Sequence, residues 1–187
     1  MPRLLIASNR LPVTVRASGG EVEVVRSTGG LATGMRGPHE RLGDVWIGWP
    51  GDLSGLGAAA RGEVERRLEA LRLAPVTLSP DEVARYYEGY SNGVLWPLFH
   101  YAISRLPAEV RDFDAYEAVN ARFADAIAAR WRPGDLVWVH DYQLMLVPQM
   151  LRERIPGARI GFFLHIPFPS SEIFRILPQR ERVLEGL

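Results

Sequence analysis

The stretch FDAYEAVNARFADAIAARWRPGDLVWVHDYQLMLVPQMLRERIPGARIGFFLH, residues 113–165, decides the fold. Phe113, Tyr116, Val119, Phe123, Ile127 and Trp131 recur at intervals of three or four, one apolar stripe along about five helical turns. Pro133-Gly134 ends that helix, and Leu136-Val-Trp-Val-His140 reads as a buried strand. A second helix is expected from about Leu144 to Arg154, then a Pro156-Gly157 joint, then a strand over Arg159–Leu164. Helix, strand, helix and strand joined by short Pro-Gly turns predict an α/β domain. Its sheet should be doubly wound and mostly parallel, with helices on both faces.

Outward from this core, Arg3–Asn9 is an apolar run leaving through Ser8-Asn9-Arg10, a first strand with a polar exit. Residues 12–16 and 21–25 are rich in β-branched side chains and flank Gly19-Gly20, which predicts a hairpin. Ser27-Thr28-Gly29-Gly30 opens a helix that Pro38 should cut short. Val45–Trp49 is a further strand running into Pro50-Gly51, and the Arg/Glu spacing of residues 58–72 suits an exposed helix. At the other end Ile173, Phe174, Leu177, Val183, Leu184 and Leu187 form an apolar helical face. Either it docks on its own domain, or it is left uncovered in a chain cut short before a second domain.

Composition narrows the chemistry. Twenty-two acidic residues balance 22 basic ones, so charge alone does not recruit nucleic acid or an anionic membrane. All the basic residues are arginine, which excludes a lysine Schiff base and a P-loop lysine. Without cysteine there is no disulfide, thiolate nucleophile or cysteine-ligated zinc. The four histidines are far apart in sequence and stand in no metal-binding spacing, so no metal is expected. The apolar runs are too short for a signal peptide or membrane helix, and a cytoplasmic protein is expected.

In a doubly wound sheet, ligands bind beyond the carboxyl ends of the strands. Ser8-Asn9-Arg10, His140-Asp141-Tyr142 and His165-Ile166-Pro167 each follow an apolar run directly, so all three clusters can converge on one crevice. Each has a plainer reading alone: Arg10 in a surface ion pair, Asp141 as a helix N-cap, a histidine as a structural hydrogen-bonder. Gly29-Gly30 before a helix would let backbone amides approach a phosphate, though a plain turn explains it as well. Tyr86-Tyr87-Glu-Gly-Tyr90-Ser-Asn-Gly-Val-Leu-Trp96 mixes amphipathic rings with amides, a surface suited to a sugar or equally to a core.

These residues, in order, resemble the N-terminal half of the trehalose-6-phosphate synthase family. The matching motifs are Ser8-Asn9-Arg10-Leu-Pro, Gly29-Gly30-Leu, Trp46-Ile-Gly-Trp49, Tyr86-Tyr87 with Ser91-Asn92 and Leu95-Trp96-Pro97, Val139-His140-Asp141-Tyr142, and Gly161-Phe-Phe-Leu-His165-Ile166-Pro167-Phe168-Pro169. The resemblance implies a retaining GT-B glucosyltransferase with two facing Rossmann-like domains. Residues 1–187 would be the N-terminal, acceptor-side domain, without the family's nucleotide-sugar domain. It implies transfer of glucose from UDP-glucose, or a related nucleotide sugar, to glucose 6-phosphate, giving α,α-trehalose 6-phosphate.

Carried over by residue, Arg10 and Tyr87 would hold the acceptor phosphate and Asp141 the acceptor hydroxyls. Gly29 and Gly30 would meet the donor diphosphate. His165 would lie at the donor glucose and, with Asp141, carry the catalytic role. Trp96 and Ile166 would line the space between the sugars and select the α anomer. No cofactor is implied, the leaving diphosphate itself helping to deprotonate the attacking hydroxyl. A homo-oligomer is allowed; nucleic acid and membrane are not expected as partners. Two other functions stay open: a non-catalytic sugar-phosphate-binding module, and a related synthase with another acceptor, such as glucosylglycerol-phosphate synthase. Arg10, Tyr87, Trp96 and Asp141 favour glucose 6-phosphate.

Overall fold

A computed structural model describes residues 2–18, 21–27, 30, 33–35 and 44–187 of the chain. In chain order come β1 (Leu4–Arg10), β2 (Val13–Ser18), β3 (Glu21–Arg26), β4 (Val45–Trp49), α1 (Ala58–Ala70) and β5 (Leu73–Pro75). There follow a helix α2 (80–99), α3 (Phe113–Ala128), β6 (Leu136–His140), α4 (Val147–Arg154), β7 (Arg159–Phe163), α5 (Ser171–Phe174) and α6 (Arg180–Gly186).

Five strands pair in parallel in the order β5-β4-β1-β6-β7, and β2 and β3 form a separate antiparallel hairpin. The order turns at β1. From there β4 and β5 build one way and β6 and β7 the other, which sets the topological switch point between β1 and β6.

β1 is central because both its faces are apolar; Leu5, Ile6 and Ala7 are wholly buried. Leu5, Ala7, Ile47, Val137 and Val139 face the main core, built with Tyr86, Tyr90, Tyr116, Phe123 and Ile127 of α2 and α3 and with Leu151 of α4. Ile6 and Trp46 face the other way, onto Val64 and Leu68 of α1 and Val13 and Val15 of the hairpin. Helices therefore lie on both faces, as the alternation of elements predicts.

Two departures have local causes. The segment after β6 opens as a tight 3-10 turn, Tyr142–Leu144, and α4 begins only at Val147. Pro148 lacks an N–H and sits in the first turn of α4, where none is needed. The apolar face near the end is only partly uncovered. Phe174, Leu177 and Val183 are buried, while Ile176, Leu184 and Leu187 are exposed. α6 docks because residue 186 is glycine: a Cβ there would stand 2.5 Å from the Met145 carbonyl oxygen. Among the described residues, no helix is long and apolar enough to cross a membrane.

α2 is a composite. Ser79 and Glu82 form a capping box around Pro80, with bonds of 2.8 and 3.2 Å. Val83–Leu95 then winds as a π-helix and Trp96–Phe99 returns to α. Backbone bonds reaching five residues bring residues four and five apart onto one side. That winding buries Tyr86, Tyr90, Ser91 and Leu95, and puts half-buried Tyr87, Asn92 and Trp96 along a neighbouring stripe.

Candidate active site at the strand carboxyl ends

At the end of β1, the pairing with β4 slips: Ala7 faces Ile47, yet Arg10 faces Trp49, so one extra residue bulges out. Gly48 makes room for the bulge. A Cβ on it would lie 2.8 Å from the Ser8 carbonyl oxygen and 2.9 Å from both Arg10 C and Leu11 N. The bulge is pinned by buried bonds: Trp46 Nε1–H donates to Ser8 Oγ at 2.8 Å, and Ser8 Oγ–H donates to the Arg10 carbonyl at 2.7 Å. Beside them Tyr86 O–H donates to Asn9 Oδ1 at 3.0 Å. Arg10 itself is exposed, its guanidinium 4.5 Å from the Trp49 ring centroid and 5.9 Å from that of Tyr87. Among the described residues no carboxylate pairs with it.

At the end of β6, Asp141 adopts φ 76° and ψ 166°, a conformation that is otherwise glycine's. Its N–H donates to the Phe163 carbonyl at 2.8 Å, and its Oδ1 accepts from the N–H of Tyr142 at 3.0 Å and of His165 at 3.3 Å. The N-cap reading of Asp141 is therefore right for one carboxylate oxygen, and among the described residues no hydrogen bond takes Oδ2. Tyr142 O–H donates to Asn92 Oδ1 at 2.9 Å, and Tyr116 O–H to the Tyr142 carbonyl at 2.6 Å, which ties the β6 exit to α2 and α3. Burial, helped by nearby Tyr87 and Asp141, pushes the Tyr142 phenol upward, so it stays a neutral donor.

His140 is buried under this edge, and its Nδ1 lies 3.0 Å from Nε2 of exposed His165. Burial, then the neighbouring His165, pushes the His140 pKa down to about 4, so its ring is neutral. The two rings meet edge to edge, their centroids 5.2 Å apart and their planes 23° from parallel, and Trp138 and Phe163 extend the row along the same face of β6 and β7. Histidines far apart in sequence thus meet as a pair. Among the described residues no three metal-ligating side chains gather.

The remaining residues divide. Trp96 is half-buried, stacked on His100 at 4.1 Å with Arg105 at 5.9 Å from its ring, and Ile166 packs against the main core. Gly30 is exposed, with open space where a side chain would be. Gly29 and Pro38 lie outside the described residues. The sequence reading missed Trp49 as the platform for Arg10, Asn92 as the partner of Tyr142, and the His140–His165 pair. Only Trp49 carried a signal, as an aromatic at a strand end beside a proline-glycine turn.

A cation on an aromatic platform, a carboxylate in strained backbone and a paired imidazole gather at the carboxyl edge of a parallel sheet, the edge where α/β proteins of this class take their ligands. Comparison with known proteins supplies the family. The model of glycosyltransferase family 20 matches residues 2–187, and the chain belongs to that family. It is 47% identical, over 99% of its length, to α,α-trehalose-phosphate synthase [UDP-forming] 2 of Aspergillus niger, covering 40% of that protein. An α,α-trehalose-phosphate synthase (UDP-forming) from Burkholderia xenovorans in complex with glucose-6-phosphate superposes with a TM-score of 0.76 at 34% identity, over 99% of this chain and 38% of that one. An E. coli structure bound with UDP-2-fluoro glucose gives 0.75 at 34% identity, over the same shares. The chain spans two fifths or less of the length of these relatives. The doubly wound, mostly parallel sheet read from residues 113–165 is the fold found, and it matches the amino-terminal domain of the GT-B arrangement that the resemblance implied.

Proposed function

We propose that this chain is the acceptor-side half of a retaining α,α-trehalose-phosphate synthase, which takes glucose from UDP-glucose and places it on glucose 6-phosphate. The observation that carries this is Arg10, a guanidinium without a carboxylate partner among the described residues, lying over the Trp49 ring at the switch point. An uncompensated fork of N–H donors in that place suits a phosphate. Tyr87 borders the same spot. Asp141 Oδ2 then accepts from acceptor hydroxyls, since Oδ1 is committed to two backbone amides. His165, across the Asp141 turn, meets the donor glucose, and Trp96 with Ile166 bounds the space between the sugars. Gly29 and Gly30 remain the proposed approach for the donor diphosphate.

Catalysis on this reading comes from positioning and from stabilising the departing diphosphate, not from a protein nucleophile. Most of the grip on the nucleotide would belong to the family's second domain.

Titration calorimetry on the purified chain tests the assignment. Glucose 6-phosphate should bind in the millimolar range, about 4 kcal/mol, and glucose without phosphate should not. Arg10→Ala should remove a charge-assisted contact worth roughly 1.5–3 kcal/mol. UDP-glucose should show no micromolar site, which needs about 8 kcal/mol. Equal binding of glucose and glucose 6-phosphate, or micromolar UDP-glucose binding, would overturn the proposal.

A further inference from the structure

The mechanism above gives His165 a sugar to meet but leaves His140, buried directly beneath it, without a task. His140 carries two ring nitrogens in a place where water does not reach. One, Nδ1, is 3.0 Å from His165 Nε2; the other, Nε2, is buried and has no hydrogen-bond partner among the described residues. A neutral imidazole holds one N–H and one bare nitrogen, so the single proton in the His140–His165 bond can sit in two ways.

If His165 donates, His140 must carry its own proton on Nε2, which leaves a buried N–H with nothing to bond. If His140 Nδ1–H donates, the unpartnered Nε2 is a bare lone pair. Orphaned buried N–H groups are the rarer of the two in folded proteins. The second arrangement makes His165 Nε2 an acceptor. Neutral His165 then has its proton on Nδ1.

We propose that His140 is a positioning residue that fixes His165 in the Nδ1–H tautomer, so that the exposed ring presents a hydrogen-bond donor, not an acceptor, to a sugar hydroxyl at the strand edge. The Asp141 carboxylate, which accepts from the His165 backbone N–H at 3.3 Å, sets where the ring stands; His140 sets which of its nitrogens bears the proton. The two rings lie edge to edge within 23° of parallel, the alignment an in-plane N–H···N bond needs, with Trp138 against His140 and Phe163 against His165. That the sugar is the donor glucose rests on the function proposed above; the tautomer does not.

The test reads the ring nitrogens directly. Long-range proton–nitrogen correlation spectra of the 15N-labelled chain at about pH 8, where an ordinary histidine is neutral, distinguish protonated from bare ring nitrogens. The expected pattern is a protonated Nδ1 and bare Nε2 on His165, with His140 also protonated at Nδ1. Removing the donor in His140→Leu should release His165 into a mixture of tautomers, and His140→Asn, whose amide places an N–H near the Nδ1 position, should restore the single one. A wild-type His165 protonated at Nε2 overturns the inference whether or not either variant folds, and so does an unchanged tautomer in folded His140→Leu. Adding UDP-glucose comes after that result. A silent His165 signal would count against the donor-site assignment and leave the tautomer lock standing.

Discussion

Replacing Gly48 by alanine tests the link between a strand irregularity and the cation of the site. The added Cβ would meet three backbone atoms at 2.8, 2.9 and 2.9 Å, closer than such contacts occur, and none belongs to a side chain that can swing aside. The strand exit must therefore move. Overpacking of this kind costs roughly 1–3 kcal/mol. For a chain of this size each kcal/mol is about 2–4 °C in melting temperature, so the expected fall is roughly 2–12 °C. Because the contacted atoms belong to Ser8, Arg10 and Leu11, relief comes by displacing the bulge that aims Arg10 at Trp49. Glucose 6-phosphate affinity should fall together with stability. Gly62→Ala is the control: Gly62 lies inside α1 with nothing within 4 Å of its virtual Cβ, and alanine there should stabilise by about 0.5–1 kcal/mol. Thermal melts and calorimetric titrations of both variants give the answer. A Gly48→Ala protein that melts early yet binds glucose 6-phosphate normally would break the connection between bulge and site.

Two other perturbations probe the same edge. Arg10→Lys keeps the charge but loses the guanidinium over Trp49 and, on the proposed function, a two-pronged grip on phosphate, and should weaken glucose 6-phosphate binding by about 1 kcal/mol, roughly fivefold. Undiminished affinity would show that only charge matters there. The His140 ring, with its pKa lowered from 6.5 to about 4 by burial, binds its proton less readily folded than unfolded. Stability should therefore fall as pH drops from about 6.5 towards 4, by as much as ~3 kcal/mol from this group. Denaturant titrations across that window should show a flatter acid limb in His140→Phe, and parallel limbs would mean that His140 titrates normally.

The sheet was legible because its evidence is local. The stripe from Phe113 to Ile127, the Pro133-Gly134 stop and the five-residue run to His140 are each properties of a short window, and β6 spans the residues read for it. Strand ends followed from the strands, and with them Arg10, Asp141 and His165. β5 was missed: it has three residues and ends in a proline that cannot extend the ladder. The π winding of Val83–Leu95 was missed because an apolar-period argument assumes the α repeat. On an α-helix Tyr87 and Asn92 would diverge; here Tyr87 approaches Arg10 while Asn92 takes the Tyr142 hydroxyl. The His140–His165 bond joins residues 25 apart through the register of β6 with β7, which no single window contains. The apolar face near the end divides, with Leu184 and Leu187 exposed, for a related reason. Leu177 and Val183 are buried by a close approach at Gly186 that depends on the backbone of Met145 and Leu146.

Asp141 is where the stability of the turn and the proposed sugar contact can be separated most directly. Its φ of 76° with ψ of 166° costs an L-residue on the order of 1–3 kcal/mol, and the surrounding bonds hold it there: its own N–H to Phe163 and its Oδ1 to the amides of Tyr142 and His165. A purely structural turn at this place would use glycine. Asp141→Ala keeps the backbone strain and discards both side-chain bonds, each worth about 0.5–1.5 kcal/mol with the 3.3 Å one at the low end, so it should be clearly destabilised. Asp141→Gly discards the same bonds and loses roughly 0.5–1 kcal/mol to the unfolded chain's freedom, but relieves the strain. The glycine variant should therefore melt above the alanine variant, by about 1 kcal/mol or a few degrees. Both should lose the acceptor sugar's hydroxyl contacts, and glucose 6-phosphate binding with them. If alanine proves as stable as glycine, the backbone is not strained. If glycine keeps full affinity for glucose 6-phosphate, the carboxylate serves the turn alone, and the strain at the β6 exit needs another explanation than the sugar.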